Sequence, residues 1–157
     1  MAQAMVLGGA ATMRAEGLDD IRGIRSAVAV PVIGLVKEGT DGVFITPTLE
    51  LALAVASAGA HIVAIDGTTR PRPDGRSVAD AVAAIHSQMD SLVTGDIAAL
   101  AEAIAAAAAG ADLVGTTLAG YPPYTTKTDG PDLVLLRKVV APLDVPVIGE
   151  GRVHTPA

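Results

Sequence analysis

VPVIGLVK, residues 30–37, is an almost wholly apolar run that ends in a lysine. Its first five residues recur as VPVIG at residues 145–149, and Glu150 follows that second run. Short, near-continuous apolar runs rich in Val and Ile are typical of strands in a parallel sheet that is covered on both faces. The two runs therefore predict buried strands that present an amine and a carboxyl group at corresponding ends.

Four further strands are predicted from short apolar runs, and helical patterns separate all six. The polar residues at or near the six strand ends are Arg14, Lys37, Asp66, Asp96, Thr117 and Glu150. Parallel strands present their carboxyl ends at one rim, and no Gly-x-Gly-x-x-Gly loop follows the first strand, so this ring favours a barrel over an open sheet. The predicted fold class is α/β, an incomplete six-strand portion of a TIM (β/α)8-type barrel. One domain over residues 1–157 is expected.

Helix boundaries are predicted from caps and glycines. Gly-Gly at residues 8–9 predicts a helix end before a short strand that has Arg14 near its carboxyl end. Thr46 with Pro47 predicts the N-cap and first turn of a helix that ends at Gly59. The alanine-dense segment 97–109 predicts another helix by propensity.

Composition narrows the classes of partner. Half of the 157 residues are hydrophobic and only 2% are aromatic, so a base-stacking surface is not expected. A net charge of −6 argues against nucleic acid and anionic membranes as partners. There are no cysteines, and the three histidines have no metal-ligand spacing, so no metal and no nucleotide cofactor is predicted. The apolar stretches are too short to span a membrane, and a cytoplasmic location is predicted.

Lys37 and Glu150 are the candidate base and acid. A lysine at the end of an apolar strand is drawn toward a dry site, where burial and a nearby Arg14 favour the neutral amine that a base needs. A carboxyl group in apolar surroundings holds its proton and becomes an acid. Either residue taken singly could equally be structural. Together they predict that a proton is removed from carbon and returned to it.

Other polar residues have more open interpretations. Gly151 and Arg152 resemble an anion clamp, with backbone N–H groups and a guanidinium available to a phosphate. Asp66 and Asp96 could each orient a substrate hydroxyl or cap the helix that follows. The RPRP loop at residues 70–73 could contact phosphate or tie two loops together.

Seven motifs occur in a fixed order along the chain. They are RAEG at 14–17, VIGLVK at 32–37, ITPT at 45–48, AIDGT at 64–68, RPRP at 70–73, GTTLAGY at 115–121 and GEGRVHTP at 149–156. In these motifs the chain resembles the N-acetylmannosamine-6-phosphate 2-epimerases, bacterial enzymes of sialic acid breakdown. The resemblance covers essentially every residue. It implies a TIM barrel that interconverts N-acetylmannosamine 6-phosphate and N-acetylglucosamine 6-phosphate, phosphorylated amino sugars, without a metal or nucleotide.

The resemblance also implies roles for individual residues. Lys37 matches the catalytic lysine and Glu150 the catalytic glutamate, which move the proton on C2 beside the C1 carbonyl of the opened ring. Arg14 and Asp96 match substrate-binding positions, and Arg152 lies in the loop near the phosphate. The predicted substrate-binding residues are Arg14, Asp66, Asp96, Thr117, Gly151 and Arg152.

Family members begin before residue 1 and run past residue 156, so the resemblance predicts strands two to seven of the barrel. Around Asp96 the family reads Ala-Asp-Ile-Ser-Thr, whereas residues 95–99 here read GDIAA. The open edges and apolar faces of such a sheet predict a homo-oligomer. Two alternatives are a lyase or aldolase that forms a Schiff base on Lys37, and a catalytically inactive barrel fragment.

Overall fold

A computed structural model of the chain describes residues 1–154, in which helices and strands alternate. The strands are β1 (Met13–Glu16), β2 (Val32–Leu35), β3 (Ile62–Asp66), β4 (Leu92–Asp96), β5 (Leu113–Gly115) and β6 (Val147–Ile148). The helices are α1 (Ala2–Leu7), α2 (Leu18–Ala27), α3 (Leu49–Ser57), α4 (Val78–Gln88), α5 (Leu100–Ala108) and α6 (Leu133–Val140). None of these helices combines the length and apolarity that crossing a bilayer requires.

The six strands form one parallel sheet in the order of the sequence, from β1 to β6. In a flat sheet, five spacings of about 4.8 Å would hold β1 and β6 about 24 Å apart. Side chains from these two ends of the sheet nevertheless meet, because Nε of Arg14 lies 3.1 Å from Oε1 of Glu150, just beyond β6. The sheet is therefore curled into part of a barrel wall.

The outer face of the sheet packs against the helices through aliphatic side chains. Fully buried members of this layer are Ile21, Val32, Ala52, Val55, Val63, Ile65, Ala81, Val82, Ile85 and Val93. Gly34 of β2 also faces this layer, and a methyl group built on it would lie 2.7 Å from Cβ of Ala60 and 2.9 Å from side-chain atoms of Ile21 and Val55. Close packing of α2 and α3 on the sheet therefore requires glycine at this position.

Two helices begin later than their sequence patterns predict. Thr46 is not a helix cap, because its hydroxyl accepts a hydrogen bond from N–H of Val36, and Thr48 caps α3 instead. The second helix, α5, begins at Leu100, three residues into the alanine-rich segment. Its N-cap Ala99 has no side-chain acceptor, and the carboxylate of Glu102 accepts from N–H of Ala98 and Ala99 in its place.

Candidate active site

Three polar residues continue the inner face of the sheet beyond the strands. Side chains alternate between faces along a strand, so a residue two positions past an inward-facing one also points inward. Lys37, Thr117 and Glu150 each lie two positions beyond the last residue of β2, β5 and β6. Arg14 belongs to the start of β1 rather than its carboxyl end, which corrects the predicted strand position. Its long side chain still reaches the same rim.

Arg14, Asp96, Thr117 and Glu150 form one connected cluster. Nη2 of Arg14 donates to Oδ2 of Asp96 at 2.5 Å, and Nε lies 3.1 Å from Oε1 of Glu150. Oγ1 of Thr117 lies 3.0 Å from Oδ1 of Asp96 and 2.8 Å from Oε2 of Glu150. The barrel curvature thus brings together one cation, two carboxyl groups and a hydroxyl from four strands.

Burial sets the ionisation of this cluster. Asp96 is fully buried, and this burial raises its pKa to about 6 even though the charge and hydrogen bond of Arg14 oppose the shift. Burial also lowers the pKa of Arg14, but the charges of Asp96 and Glu150 outweigh it and leave that pKa above its usual value. Both shifts are upward because Arg14 is partly exposed and touches two carboxyl groups, whereas Asp96 is enclosed and repelled by Glu150.

Glu150 lies in polar surroundings, so the apolar setting expected for it is wrong. The strand pattern ends at Ile148, and the glutamate side chain turns toward Arg14 and Thr117. Its backbone is held by Thr116, whose hydroxyl donates to the Glu150 carbonyl and accepts from the Glu150 N–H. Sequence reasoning did not single out Thr116, and the adjacent hydroxyls of the Thr116-Thr117 pair were the signal that could have identified it.

Lys37 is held at the rim by a hairpin that folds back on β2. Its backbone forms an antiparallel bridge with Ile45, and the flanking N–H of Thr46 donates to the carbonyl of Val36. The expected burial of the amine is wrong, because the side chain is 48% exposed and Nζ donates to Oε2 of Glu16 at 2.8 Å. Glu16 is a neighbour that the sequence analysis missed, since only the pairing of β1 with β2 aligns the two residues.

One cavity is lined both by Lys37 and by Thr117 of the cluster. It has a volume of about 180 Å³ and is lined by Lys37, Phe44, Ile45, Thr117, Leu118 and Tyr121. Thr117 in turn contacts both carboxyl groups. A larger hollow of about 370 Å³ lies at the β3–α4 loop, but neither Lys37 nor the carboxyl cluster lines it.

Asp66 lies apart from the cluster, although it is in register with Asp96 across β3 and β4. Its carboxylate accepts from N–H and the hydroxyl of Thr68 and from Nη2 of Arg70. Arg72 is buried and donates to the carbonyls of Thr46 and Asp66. The RPRP loop was expected either to contact phosphate or to tie two loops together. The contacts of Arg72 are of the second kind, because they connect this loop to the loop that contains Thr46. Neither aspartate caps a helix among the described hydrogen bonds.

The loop between β5 and α6 is held by two side chains. The guanidinium of Arg152 donates to the carbonyls of Ala119 and Gly130 and to the hydroxyl of Thr128. Tyr124 donates to Oε1 of Glu102 at 2.6 Å, and burial, followed by the hydrogen bond to Glu102, raises its pKa to about 12. Gly151 precedes Arg152 with φ of 98°, a backbone conformation that favours glycine. The described hydrogen bonds of Arg152 thus go to the β5–α6 loop, and none goes to the carboxyl cluster. Thr155 and Pro156 of the same motif lie outside the described residues.

Comparison with known proteins identifies relatives over the whole chain. The family model described as "Putative N-acetylmannosamine-6-phosphate epimerase" matches residues 1–157. A curated relative from Cutibacterium acnes, "Putative N-acetylmannosamine-6-phosphate 2-epimerase", is 48% identical over 158 residues, which are 99% of this chain and 69% of the relative. A relative of the same name from Clostridium perfringens is 40% identical, with 99% of this chain and 71% of the relative covered.

Solved structures agree with these sequence relatives. The N-acetylmannosamine-6-phosphate 2-epimerase from Clostridium perfringens superposes with a TM-score of 0.93 at 39% identity, over 99% of this chain and 68% of that chain. Thiamine phosphate pyrophosphorylase from Pyrococcus furiosus, 20% identical with a TM-score of 0.58 over 96% of this chain and 67% of its own, shares the fold only. The predicted barrel class is thereby confirmed. The chain belongs to the N-acetylmannosamine-6-phosphate epimerase family.

Proposed function

We propose that this chain interconverts N-acetylmannosamine 6-phosphate and N-acetylglucosamine 6-phosphate by moving the proton on C2. Family membership supports this reaction, and one observation supports its chemistry in this chain. A single cavity is lined by Lys37 and by Thr117, and Thr117 is bonded to Glu150. In this proposal a sugar in the cavity has the amine of Lys37 on one side and, beside Thr117, the carboxyl group of Glu150 on the other.

In this proposal Lys37 removes the C2 proton after the sugar ring has opened. The proton is acidic because the resulting negative charge spreads to the oxygen of the neighbouring C1 carbonyl. The amine first has to leave Glu16 and lose its own proton to water. Exposed ion pairs of this kind contribute only about 0–1 kcal/mol, so the pair with Glu16 is a small obstacle.

Glu150 returns a proton to the opposite face of C2, which inverts the configuration. Hydrogen bonds from Thr116 to its backbone and contacts from Arg14 and Thr117 to its side chain support this role, because a positioned acid transfers a proton more readily. Nη1 of Arg14 is buried and has no hydrogen-bond partner among residues 1–154. We propose that this donor, with Asp96 holding the guanidinium, stabilises negative charge on a substrate oxygen.

The phosphate is assigned to the segment after Glu150. N–H of Gly151 and the remaining donors of Arg152 are available for it, since a guanidinium has five N–H groups and three hydrogen bonds go to the β5–α6 loop. Asp66 is left out of the proposed site because Thr68 and Arg70 occupy its oxygens. Ligand pockets for small molecules usually measure about 300–1,000 Å³, so the 180 Å³ cavity would hold the reacting part of the sugar.

We further propose that the protein is cytoplasmic and that it self-associates. A sugar phosphate carries charge and does not cross a bilayer unaided, which supports a cytoplasmic location for an enzyme that uses it. Self-association is supported by the open edges of the sheet in the described residues.

The test of the proposed function is loss of the C2 proton of N-acetylmannosamine 6-phosphate in deuterated water, followed by proton NMR. We expect Lys37→Ala and Glu150→Ala each to reduce exchange and epimerisation by at least about a hundredfold, as removal of a general acid or base usually does. Lys138→Ala removes an exposed lysine on α6 and is the matched control. Full exchange by Lys37→Ala, or full epimerisation by Glu150→Ala, would reject the role assigned to that residue.

Absence of exchange by the folded wild-type chain would reject the enzyme function, in favour of an inactive fragment. Borohydride treatment in the presence of the sugar phosphate separates the remaining alternative. A reduced covalent adduct on Lys37 would indicate a Schiff-base lyase or aldolase instead of an epimerase.

A further inference from the structure

Thr117 has one hydroxyl proton and two carboxyl neighbours. Its Oγ1 lies 3.0 Å from Oδ1 of Asp96 and 2.8 Å from Oε2 of Glu150, and both distances are those of hydrogen bonds. A hydroxyl can donate to only one of the two. The second contact is a hydrogen bond only when the other carboxyl group carries a proton and donates it to Oγ1. The geometry therefore suits a pair of carboxyl groups that holds one proton between them.

The charges around Asp96 and Glu150 also favour one shared proton. The groups that act on Asp96 are Arg14 from β1, Glu150 after β6 and Thr117 after β5. One guanidinium contacts both carboxyl groups, so a single negative charge on the pair balances it. Asp96 has no exposed side-chain surface, and it shares both Arg14 and Thr117 with the partly buried Glu150, so the two carboxyl groups do not readily ionise together. Burial is the main cause of the raised pKa of Asp96, and the charge of Glu150 adds to it.

Gly115 leaves the space in which this contact forms. A methyl group built on Gly115 would lie 2.8 Å from Oδ1 of Asp96 and 3.1 Å from Oγ1 of Thr117. No side chain therefore separates the hydroxyl from the buried carboxyl group. The hydroxyl of Thr94, 3.8 Å from the same methyl position, is buried without a hydrogen-bond partner among residues 1–154.

We propose that Thr117 relays a proton between Asp96 and Glu150, so that the buried carboxyl group supplies the proton that Glu150 delivers to C2. This inference rests on the proposed epimerase function. The Asp96 proton passes to Oγ1 of Thr117 while the Thr117 hydroxyl proton passes to Oε2 of Glu150. The carboxylic acid formed at Glu150 then donates that proton to the carbanion, and a C2–H bond forms. Asp96 ends as a carboxylate, and Thr117 and Glu150 are unchanged. The pair regains a proton from water, and Lys37 releases to water the proton it removed.

The relay predicts different behaviour for two substitutions of similar size. Thr117→Val keeps the branched shape and lacks the hydroxyl, whereas Thr117→Ser keeps the hydroxyl. We expect Thr117→Val to lower kcat for epimerisation by about a hundredfold or more with KM changed only a few-fold, and Thr117→Ser to stay within about tenfold of the wild type. If the hydroxyl only binds substrate, its removal should instead raise KM and leave kcat unchanged. Wild-type kcat in Thr117→Val would overturn the proposal.

A second measurement does not depend on activity. Titration of the carboxyl groups by carbon-13 NMR, without substrate, should give linked two-step curves for Asp96 and Glu150 in the wild type and in Thr117→Ser. In Thr117→Val the linkage should weaken, and identical curves in all three proteins would overturn the relay. If the wild type proves inactive, the epimerase proposal fails while this titration still judges the carboxyl pair.

A third measurement needs only the wild type, and it decides the matter if Thr117→Val does not fold. Transfer of several protons in one step makes kcat depend on the deuterium fraction of the solvent along a curve rather than a straight line. We expect a curved dependence at a pH where kcat reports the proton return. A straight line would overturn the concerted relay.

Discussion

Asp96 has a carboxyl group that the curled sheet encloses completely, with the Arg14 guanidinium on one side and the Thr117 hydroxyl on the other. It lies at the end of β4, as the sequence predicts, but its neighbours come from strands distant along the chain. A buried carboxyl group resists ionisation even when a cation contacts it. The pH dependence of stability therefore tests the electrostatics of the site without substrate.

We expect the free energy of unfolding to contain a component from Asp96 that decreases as pH rises from about 4 to 7. The pKa of Asp96 is raised from 3.8 to about 6, so the folded protein binds the proton more tightly than the unfolded chain does. This sign means that stability is lost with rising pH, by about 3 kcal/mol for a shift of about two units. Asp96→Asn removes the component, and urea unfolding at pH 4 and pH 7 measures it.

The control for this prediction is Asp129→Asn, which neutralises an exposed carboxyl group in the β5–α6 loop. The difference in unfolding free energy between Asp96→Asn and the wild type should shift in favour of the variant as pH rises. Parallel pH dependences of the two proteins would contradict the prediction.

At the scale of the elements, the barrel wall depends on how closely α2 and α3 approach β2. Gly34 provides this approach, because side-chain atoms of Ile21, Val55 and Ala60 all lie within 2.9 Å of where its Cβ would be. These neighbours are buried in the core and have no room to move. The glycine in the repeated VPVIG run is therefore a packing residue in β2.

We expect Gly34→Ala to lower the free energy of unfolding by about 1–3 kcal/mol, since a methyl group has to be forced into a filled core. Gly23→Ala is the matched control. Gly23 lies within α2, and a methyl group there would meet nothing within 4 Å, so that substitution should stabilise the protein by about 0.5–1 kcal/mol. Urea unfolding measures both, and a neutral Gly34→Ala would show that α2 or α3 can shift outward.

At the scale of the whole molecule, the sheet of residues 1–154 has β1 and β6 at its two ends. Each of these strands pairs with one neighbour among the described residues, so backbone N–H and C=O groups on its other side are open. Large apolar side chains are also exposed on the adjoining helices, at Leu7, Leu133, Val134 and Val140. Open edges and apolar surface together favour contact with another chain.

We therefore expect the purified 157-residue chain to self-associate, with a sedimentation coefficient that rises with protein concentration. Leu133→Glu and Val134→Glu together place charge on exposed α6 positions and should weaken the association. Alanine in place of Val153, another exposed apolar residue, is the control. A concentration-independent monomer would contradict this expectation and the predicted homo-oligomer.

Most of the barrel portion was readable from the sequence. Apolar runs, glycine stops and helical periodicity depend on local chemistry, so the six strands, their helices and the parallel arrangement follow from patterns along the chain. The positions of Lys37, Asp96, Thr117 and Glu150 at the carboxyl ends of parallel strands likewise predicted that they lie at one rim. Two predicted helix starts were wrong, because Thr46 and Ile97 have tertiary contacts that override their local preference for a helix start.

The contacts between side chains in the site depend on the tertiary structure. Lys37 is paired with Glu16 at an exposed rim, Arg14 contacts Asp96 and Glu150, and Thr117 joins the two carboxyl groups. These contacts link residues up to 136 positions apart and depend on the curl of the sheet, which no local pattern specifies. The sequence by itself determined which chemical groups reach the rim. Only the curvature determined that the buried acid is Asp96, because burial depends on what the folded chain encloses.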